Sequence, residues 1–166
     1  MAIRGALESS LSSAKLTWTD NNVFQTQLFL PMVRESRGRV VILSSMADSR
    51  VTYAGWSSYC SSKAALTRFI ELLAHEEDEI QVFGIYPELT RTPMVTDLVA
   101  GKFAGKMKDH EVEFFKRSDR DGQVEPPQWC ANVTAKIAAH AIPGQEKGPV
   151  QCYHEWDPEY KDYQDI

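Results

Sequence analysis

The 166-residue chain predicts an α/β fold with a parallel sheet flanked by helices, and three features point to it. Val40-Val41-Ile42-Leu43 is a β-branched run that reads as a buried strand closing at Ser44-Ser45. An apolar-periodic stretch over 58–75 reads as a helix, and residues 80–86 read as a second strand stopped by Pro87. Strand, long helix and strand in this order form the βαβ unit of a parallel sheet.

Residues 1–20 are Ser-rich and weakly patterned, and no element is assigned to them. Asp20 or Asn22 can cap a helix whose apolar positions include Val23, Phe24, Leu28, Leu30 and Val33. Pro31 should kink that helix, and Gly38, after Arg37, is its expected C-cap. After the first strand a polar loop runs to Ser57. The helix over 58–75 carries Ala65, Leu66, Phe69, Ile70, Leu72 and Leu73 as its buried stripe, and Glu76-Glu77-Asp78-Glu79 marks a solvated turn.

Beyond Pro87, Val95, Leu98, Val99, Phe103 and Met107 form an approximate stripe across Gly101 and Gly105. It reads as a weak helix or a lid over a pocket, with plain packing against the core as the open alternative. Pro126-Pro127 opens a helix through about His140 with Trp129, Val133 and Ile137 on one face. Gly148-Pro149 precedes a short strand over 150–153, and residues 154–166 read as an acidic, aromatic, mobile tail. The expected organisation is one domain over 1–153 followed by that tail.

Composition narrows the function classes. A hydrophobic content of 43% suits an ordinary globular core, and a net charge of -5 from 18 basic and 23 acidic residues gives no basic footprint for nucleic acid. No apolar run is long enough to span a bilayer, and the start lacks the apolar region of a signal peptide, so a cytoplasmic protein is expected. Cys60, Cys130 and Cys152 are odd in number and lack metal-ligand spacing, which argues against a disulfide framework and against a zinc site.

The candidates for chemistry are Tyr59, Lys63 and a serine at the end of the first strand, Ser44 or Ser45. Tyr59 and Lys63 stand four apart and share a helix face, while Ser45 ends the strand before them. A Tyr-x-x-x-Lys by itself carries little weight, since roughly a quarter of chains this long would hold one by chance. Its strand and helix context raises that weight, because a hydroxyl, a phenol and an ammonium then converge where one carbonyl could sit.

Gly38-Arg39-Val40-Val41-Ile42-Leu43-Ser44-Ser45, Tyr59-Cys60-Ser61-Ser62-Lys63-Ala64-Ala65-Leu66, Val82-Phe83-Gly84-Ile85-Tyr86-Pro87 and Thr92-Pro93-Met94 together resemble the short-chain dehydrogenase/reductase family. The resemblance runs from about Asn22 to Tyr153. It implies a partial doubly wound, Rossmann-like parallel sheet, an NAD or NADP cofactor, and a small carbonyl or alcohol substrate. By the same resemblance Tyr59 is the acid and base, Lys63 favours the tyrosinate and holds cofactor ribose hydroxyls, and Ser45 donates to the substrate oxygen, with Ser44 as its adjacent rival. Pro87, Thr90 and Thr92 match cofactor-contacting positions, and the expected metal content is none. Asn21 and Asn22 are the candidates for a proton-relaying Asn.

Two departures bear on activity. Glu88 stands where the family has the glycine that lets backbone approach the nicotinamide. The Gly-rich turn that receives the pyrophosphate is also missing, so two to three N-terminal βαβ units of about 30 residues each are expected to be absent. The first strand should then present an unpaired edge. A noncatalytic interaction module is the alternative expectation, pairing with a second copy or a full-length relative through the helices over 23–37 and 58–75.

Overall fold

The computed structural model describes residues 17–140, 142 and 147–161, the first four of them by backbone alone. Among these residues three strands form one parallel sheet in the order β1 (Arg39–Leu43), β2 (Gln81–Tyr86) and β3 (Val150–Cys152). Arg39 to Leu43 pair with Gln81 to Ile85, and Gly84 to Tyr86 pair with Val150 to Cys152. Val82, Phe83, Ile85 and Tyr86 are all buried, so both faces of β2 are covered, as in a parallel sheet between helices. The chain is therefore α/β, as its sequence predicts.

Helix α1 (Thr17–Glu35) starts ahead of both expected caps and contains Pro31 without ending there. Its C-terminus also differs from expectation: Arg37, with φ of 49°, takes the left-handed position foreseen for glycine. The N–H groups of Arg37 and Gly38 close onto the carbonyls of Arg34 and Val33, satisfying the last turn of the helix. A Cβ at Gly38 would lie 3.0 Å from Ser36 Oγ, a tight contact with an exposed side chain. On α1, Phe24, Leu28 and Met32 recur every four residues and remain 64%, 60% and 65% exposed.

Helix α2 (Ser57–Glu76) lays Leu66, Ile70, Leu73 and Ala74 against β2 and β3. Ala65 and Leu72 belong to the opposite, outward side, because a period of 3.6 separates 65 and 72 from 66, 70 and 73. The expected stripe was two residues too wide. Arg34 of α1 grips the Glu77 carboxylate just past α2, with Nε donating to Oε2 at 2.8 Å. That bond, ahead of burial, which opposes it, holds the Glu77 carboxyl below its usual range.

Of the stretch foreseen as a weak helix or lid, only the first part is helical, as α3 (Pro93–Val99); residues 100–108 form turns, and a helix not foreseen, α4 (Asp109–Arg120), follows. They share a small core of Leu98, Met107, Val112 and Phe115, distinct from the main core on the sheet. Acidic Asp109 and Glu111 in the first turn of α4 and basic Arg117 and Arg120 in its last turn suit the helix dipole. Helix α5 (Pro127–Ala138) buries Cys130, Val133 and Ile137, and the Arg39 guanidinium of β1 donates to the Ile137 carbonyl.

Of the segment expected as a tail, residues 154–161 are described. They begin in α6 (Tyr153–Trp156), where Trp156 is buried and its Nε1 donates to the Gly84 carbonyl at 3.2 Å. Residues 1–16, 141, 143–146 and 162–166 lie outside the described residues. No helix among the described residues is long and apolar enough to cross a membrane.

At Gly84 strands β2 and β3 leave no room for a side chain, because a Cβ built there would lie 2.4 Å from Val150 Cγ2 and 3.0 Å from Val150 Cβ. Gly84→Ala should therefore lower stability by about 1–3 kcal/mol through overpacking between β2 and β3. Urea unfolding followed by far-UV circular dichroism measures it, and an unchanged midpoint would contradict this packing.

Candidate active site

The C-terminal ends of β1 and β2 open onto a cavity of about 630 Å³. Its floor is polar, with Ser44, Ser45, Glu88, Thr90 and Thr92 beside Pro87, and its walls are apolar and aromatic, with Met46, Val51, Tyr53, Trp56, Leu98 and Phe115 among them. Tyr59 also lines it. A volume in this range holds a small organic molecule beside a flat ring.

The two adjacent serines are separated by their hydrogen bonds. Thr67 Oγ1 donates its one hydrogen to Asp48 Oδ2 at 3.0 Å, so in its 2.7 Å contact with Ser44 Oγ it must accept. The Ser44 hydrogen is thereby committed inward, and Ser44 is buried. Ser45 Oγ instead accepts from the Ala47 N–H at 3.2 Å, as the cap of the 3-10 turn Met46–Asp48, and among the described residues no acceptor takes its own hydrogen, which is left for a partner in the cavity.

Asp48 anchors this floor. Its side chain is 1% exposed and receives the Arg50 guanidinium, the Ser49 N–H and the Thr67 hydroxyl. Burial by itself would push its carboxyl up, but these donors together outweigh burial and leave it below the ordinary aspartate value. Arg50 continues the chain of contacts to the Val150 carbonyl at 3.1 Å and lies 4.8 Å above the Tyr86 ring. A single buried carboxylate thus ties the end of β1 to α2 and β3.

Tyr59 sits in the first turn of α2, where Trp56 meets it edge-on with ring centroids 5.5 Å apart. Trp56 in turn packs on Tyr53 at 5.0 Å and stacks on Phe115 of α4 at 6.1 Å. Buried Glu111 accepts the Ala54 N–H at 3.1 Å and the Lys108 N–H at 2.9 Å, which fastens the aromatic loop to α4. Burial pushes the Tyr53 phenol up.

Lys63 lies one helical turn beyond Tyr59, and its Nζ donates to the Leu43 carbonyl at the end of β1, 3.1 Å away. Burial lowers its proton affinity from the ordinary lysine value. Thr90 is buried with its Oγ1 donating to the Glu88 carbonyl at 3.0 Å, and Thr92 Oγ1 accepts from the Val95 N–H as the cap of α3. Ser45, Tyr59, Pro87, Thr90 and Thr92 are therefore brought to one cavity, with Lys63 at the strand end beside it. Asn21 and Asn22 lie on α1 and do not line it. Sequence reading missed Asp48, Thr67, Trp56 and Glu111, whose partners are scattered along the chain.

Comparison with known proteins gives one family. The family described as short chain dehydrogenase matches residues 21–102. An uncharacterized oxidoreductase of Saccharomyces cerevisiae is 30% identical over 134 residues, covering 81% of this chain and 52% of the relative. A benzil reductase ((S)-benzoin forming) of the same yeast is 30% identical over 132 residues, covering 77% of this chain and 50% of the relative. The crystal structure of a short chain dehydrogenase/reductase from that yeast superposes with a TM-score of 0.75 at 28% identity, over 89% of this chain and 58% of the other. The chain spans about half the length of the curated relatives it matches.

The depressed Asp48 carboxyl fixes a pH dependence. Its contribution to stability is present above the unfolded aspartate value of about 3.9 and is lost as pH falls through the lower folded value. Asp48→Asn should cost about 2 kcal/mol at neutral pH, the magnitude of a lost charge-assisted hydrogen bond. It should also flatten the fall in stability below about pH 4. Urea unfolding at a series of pH values tests both, and a variant as stable and as acid-sensitive as the parent contradicts the anchor.

Proposed function

The chain belongs to the short-chain dehydrogenase/reductase family, and from that premise we propose that it is an NAD(P)-dependent oxidoreductase that reduces a carbonyl or oxidises an alcohol. The observation that carries this reading is a phenol, Tyr59, and a serine with an uncommitted hydrogen, Ser45, lining one largely apolar cavity. Tyr59 passes a proton to the carbonyl oxygen, and Ser45 donates a hydrogen bond to that oxygen as negative charge develops on it. Lys63 supplies positive charge one helix turn away.

The residues fit the nicotinamide end of the cofactor: Pro87, Thr90 and Thr92 border the cavity on the side of β2, and Lys63 reaches the strand end where ribose hydroxyls would lie. A bound nicotinamide supplies or accepts the hydride. Among the described residues no glycine-rich turn serves the pyrophosphate, so binding of the whole dinucleotide is part of the proposal. The relatives named benzil reductase and the aromatic walls of Tyr53, Trp56 and Phe115 favour an aromatic ketone as substrate.

A second reading, an interaction module, is favoured by the exposed stripe Phe24, Leu28 and Met32 on α1 and by Leu43, 50% exposed on β1, an edge strand among the described residues. The partner is a second copy of the chain, meeting it through α1 and α2.

Benzil reduction, followed by loss of NADH or NADPH absorbance, tests the enzymatic reading. Tyr59→Phe should reduce kcat by about 10²–10⁴-fold, and Ser45→Ala by about 10²–10³-fold with Ser44→Ala affecting stability more than turnover. Undiminished activity in Tyr59→Phe would remove the mechanism. For the second reading, light scattering should find a dimer that Leu28→Glu converts to a monomer; a monomeric parent chain would end it.

A further inference from the structure

A cluster at the cavity wall takes no part in the proposed chemistry. Glu88 follows β2, Cys152 ends β3 and His154 lies in α6, and the pairing of Tyr86 with Cys152 brings all three to the same sheet end. Their donor atoms lie within 4.8 Å of one another, with Cys152 Sγ 3.2 Å from His154 Nδ1 and 3.5 Å from Glu88 Oε1. We infer that Glu88, Cys152 and His154 bind one divalent cation of the zinc type.

The spacing fits such an ion. Tetrahedral zinc, with bonds of about 2.3 Å to sulfur and about 2.0–2.2 Å to nitrogen and oxygen, holds neighbouring donors roughly 3.4–3.6 Å apart. The Cys152–Glu88 separation of 3.5 Å falls in this range, the Cys152–His154 separation of 3.2 Å is slightly short of it, and all three donors lie within 4.8 Å, so side-chain adjustments close the site. A thiolate, an imidazole and a carboxylate form a borderline-soft set, which selects zinc over the oxygen-seeking magnesium and calcium.

The donors are also held in place before any ion arrives. The Cys152 N–H donates to Glu155 Oε2 at 2.8 Å, and the His154 ring lies 5.7 Å from that of Tyr153 and 6.0 Å from that of Tyr160. The Glu88 backbone is fastened through its carbonyl by Thr90. Cys152 is 1% exposed, and burial first, with the nearby Glu88 carboxylate, pushes its thiol up to about 12. Without an ion the sulfur keeps its proton and the trio is hydrogen-bonded; with one, the S–H bond breaks, a sulfur–metal bond forms and the proton leaves to solvent.

Glu88 and His154 both line the cavity, so the fourth position of the ion faces it and accepts an oxygen ligand from there. Cysteine counting could not reach this site, because Cys152 and His154 are joined by a glutamate 64 residues away from Cys152 in sequence. Glu88, the departure from the family's glycine, becomes a ligand in this reading.

Titration of the reduced protein with Co²⁺, read by its thiolate-to-metal charge-transfer and ligand-field bands, tests the site, with Zn²⁺ affinity measured by calorimetry. One ion per chain is expected, with the charge-transfer band lost in Cys152→Ser. His154→Ala and Glu88→Gln, at half-buried positions, should each weaken Zn²⁺ by at least about tenfold, the lower range for disturbing a metal's surroundings. These two decide the matter if Cys152→Ser fails to fold. No saturable binding, a band that survives Cys152→Ser and so reports Cys60 or Cys130, or Zn²⁺ affinity unchanged in His154→Ala and Glu88→Gln would each overturn the proposal and leave a hydrogen-bonded trio only.

Discussion

The buried Asp48 carboxylate is the constraint on which the strand-end architecture depends. A carboxylate removed from water must find donors nearby or be neutralised, and those available come from three places: the Arg50 guanidinium, the Ser49 N–H and the Thr67 hydroxyl of α2. Meeting that demand sets Thr67 as an acceptor for Ser44, fixes the 3-10 turn after β1 and aims the next hydroxyl, Ser45, at the cavity. Arg50 carries the same constraint to β3 through Val150. The distinction between the two serines is thus a consequence of hydrogen-bond accounting around one charge.

A second device shapes the cavity from the other side. Tyr53, Trp56 and Phe115 form an aromatic wall, and Trp56 touches Tyr59 directly, so the phenol is positioned by rings contributed from the loop and from α4. Glu111 holds the loop to α4 through the Ala54 and Lys108 N–H groups. A polar floor and an apolar wall meet at Tyr59, which is the arrangement a proton transfer to an apolar ketone would use. The cluster of Glu88, Cys152 and His154 borders the same space from β2 and β3, so any ion held there would share the chamber with Tyr59.

The periodic parts of the fold were legible. The β-branched run before Ser44, the apolar period over 58–75 and the stop at Pro87 correspond to β1, α2 and β2, because burial on a sheet or helix face writes directly into spacing. Elsewhere local signals misled. Gly38 suggested a cap, yet Arg37 adopts the left-handed turn, since the bonds to Arg34 and Val33 satisfy the helix end whatever side chain sits there. Helix α4 escaped notice because its buried face is only Val112, Phe115 and Ser118 with Glu111, too polar a stripe to stand out.

The sequence by itself determined the α/β class, the parallel order of strand, helix and strand, and the candidates Ser45, Tyr59 and Lys63, because each is set by neighbours within a turn or a strand. The tertiary structure decided which serine keeps a free hydrogen, where the Lys63 ammonium rests, how the residues from 154 onward pack, and that Glu88 meets Cys152 and His154. Those outcomes depend on groups far apart in the chain that come into contact only when the strands align. Spacing along a sequence reports local geometry, whereas buried charges and hydroxyls are satisfied by whatever the fold brings within reach.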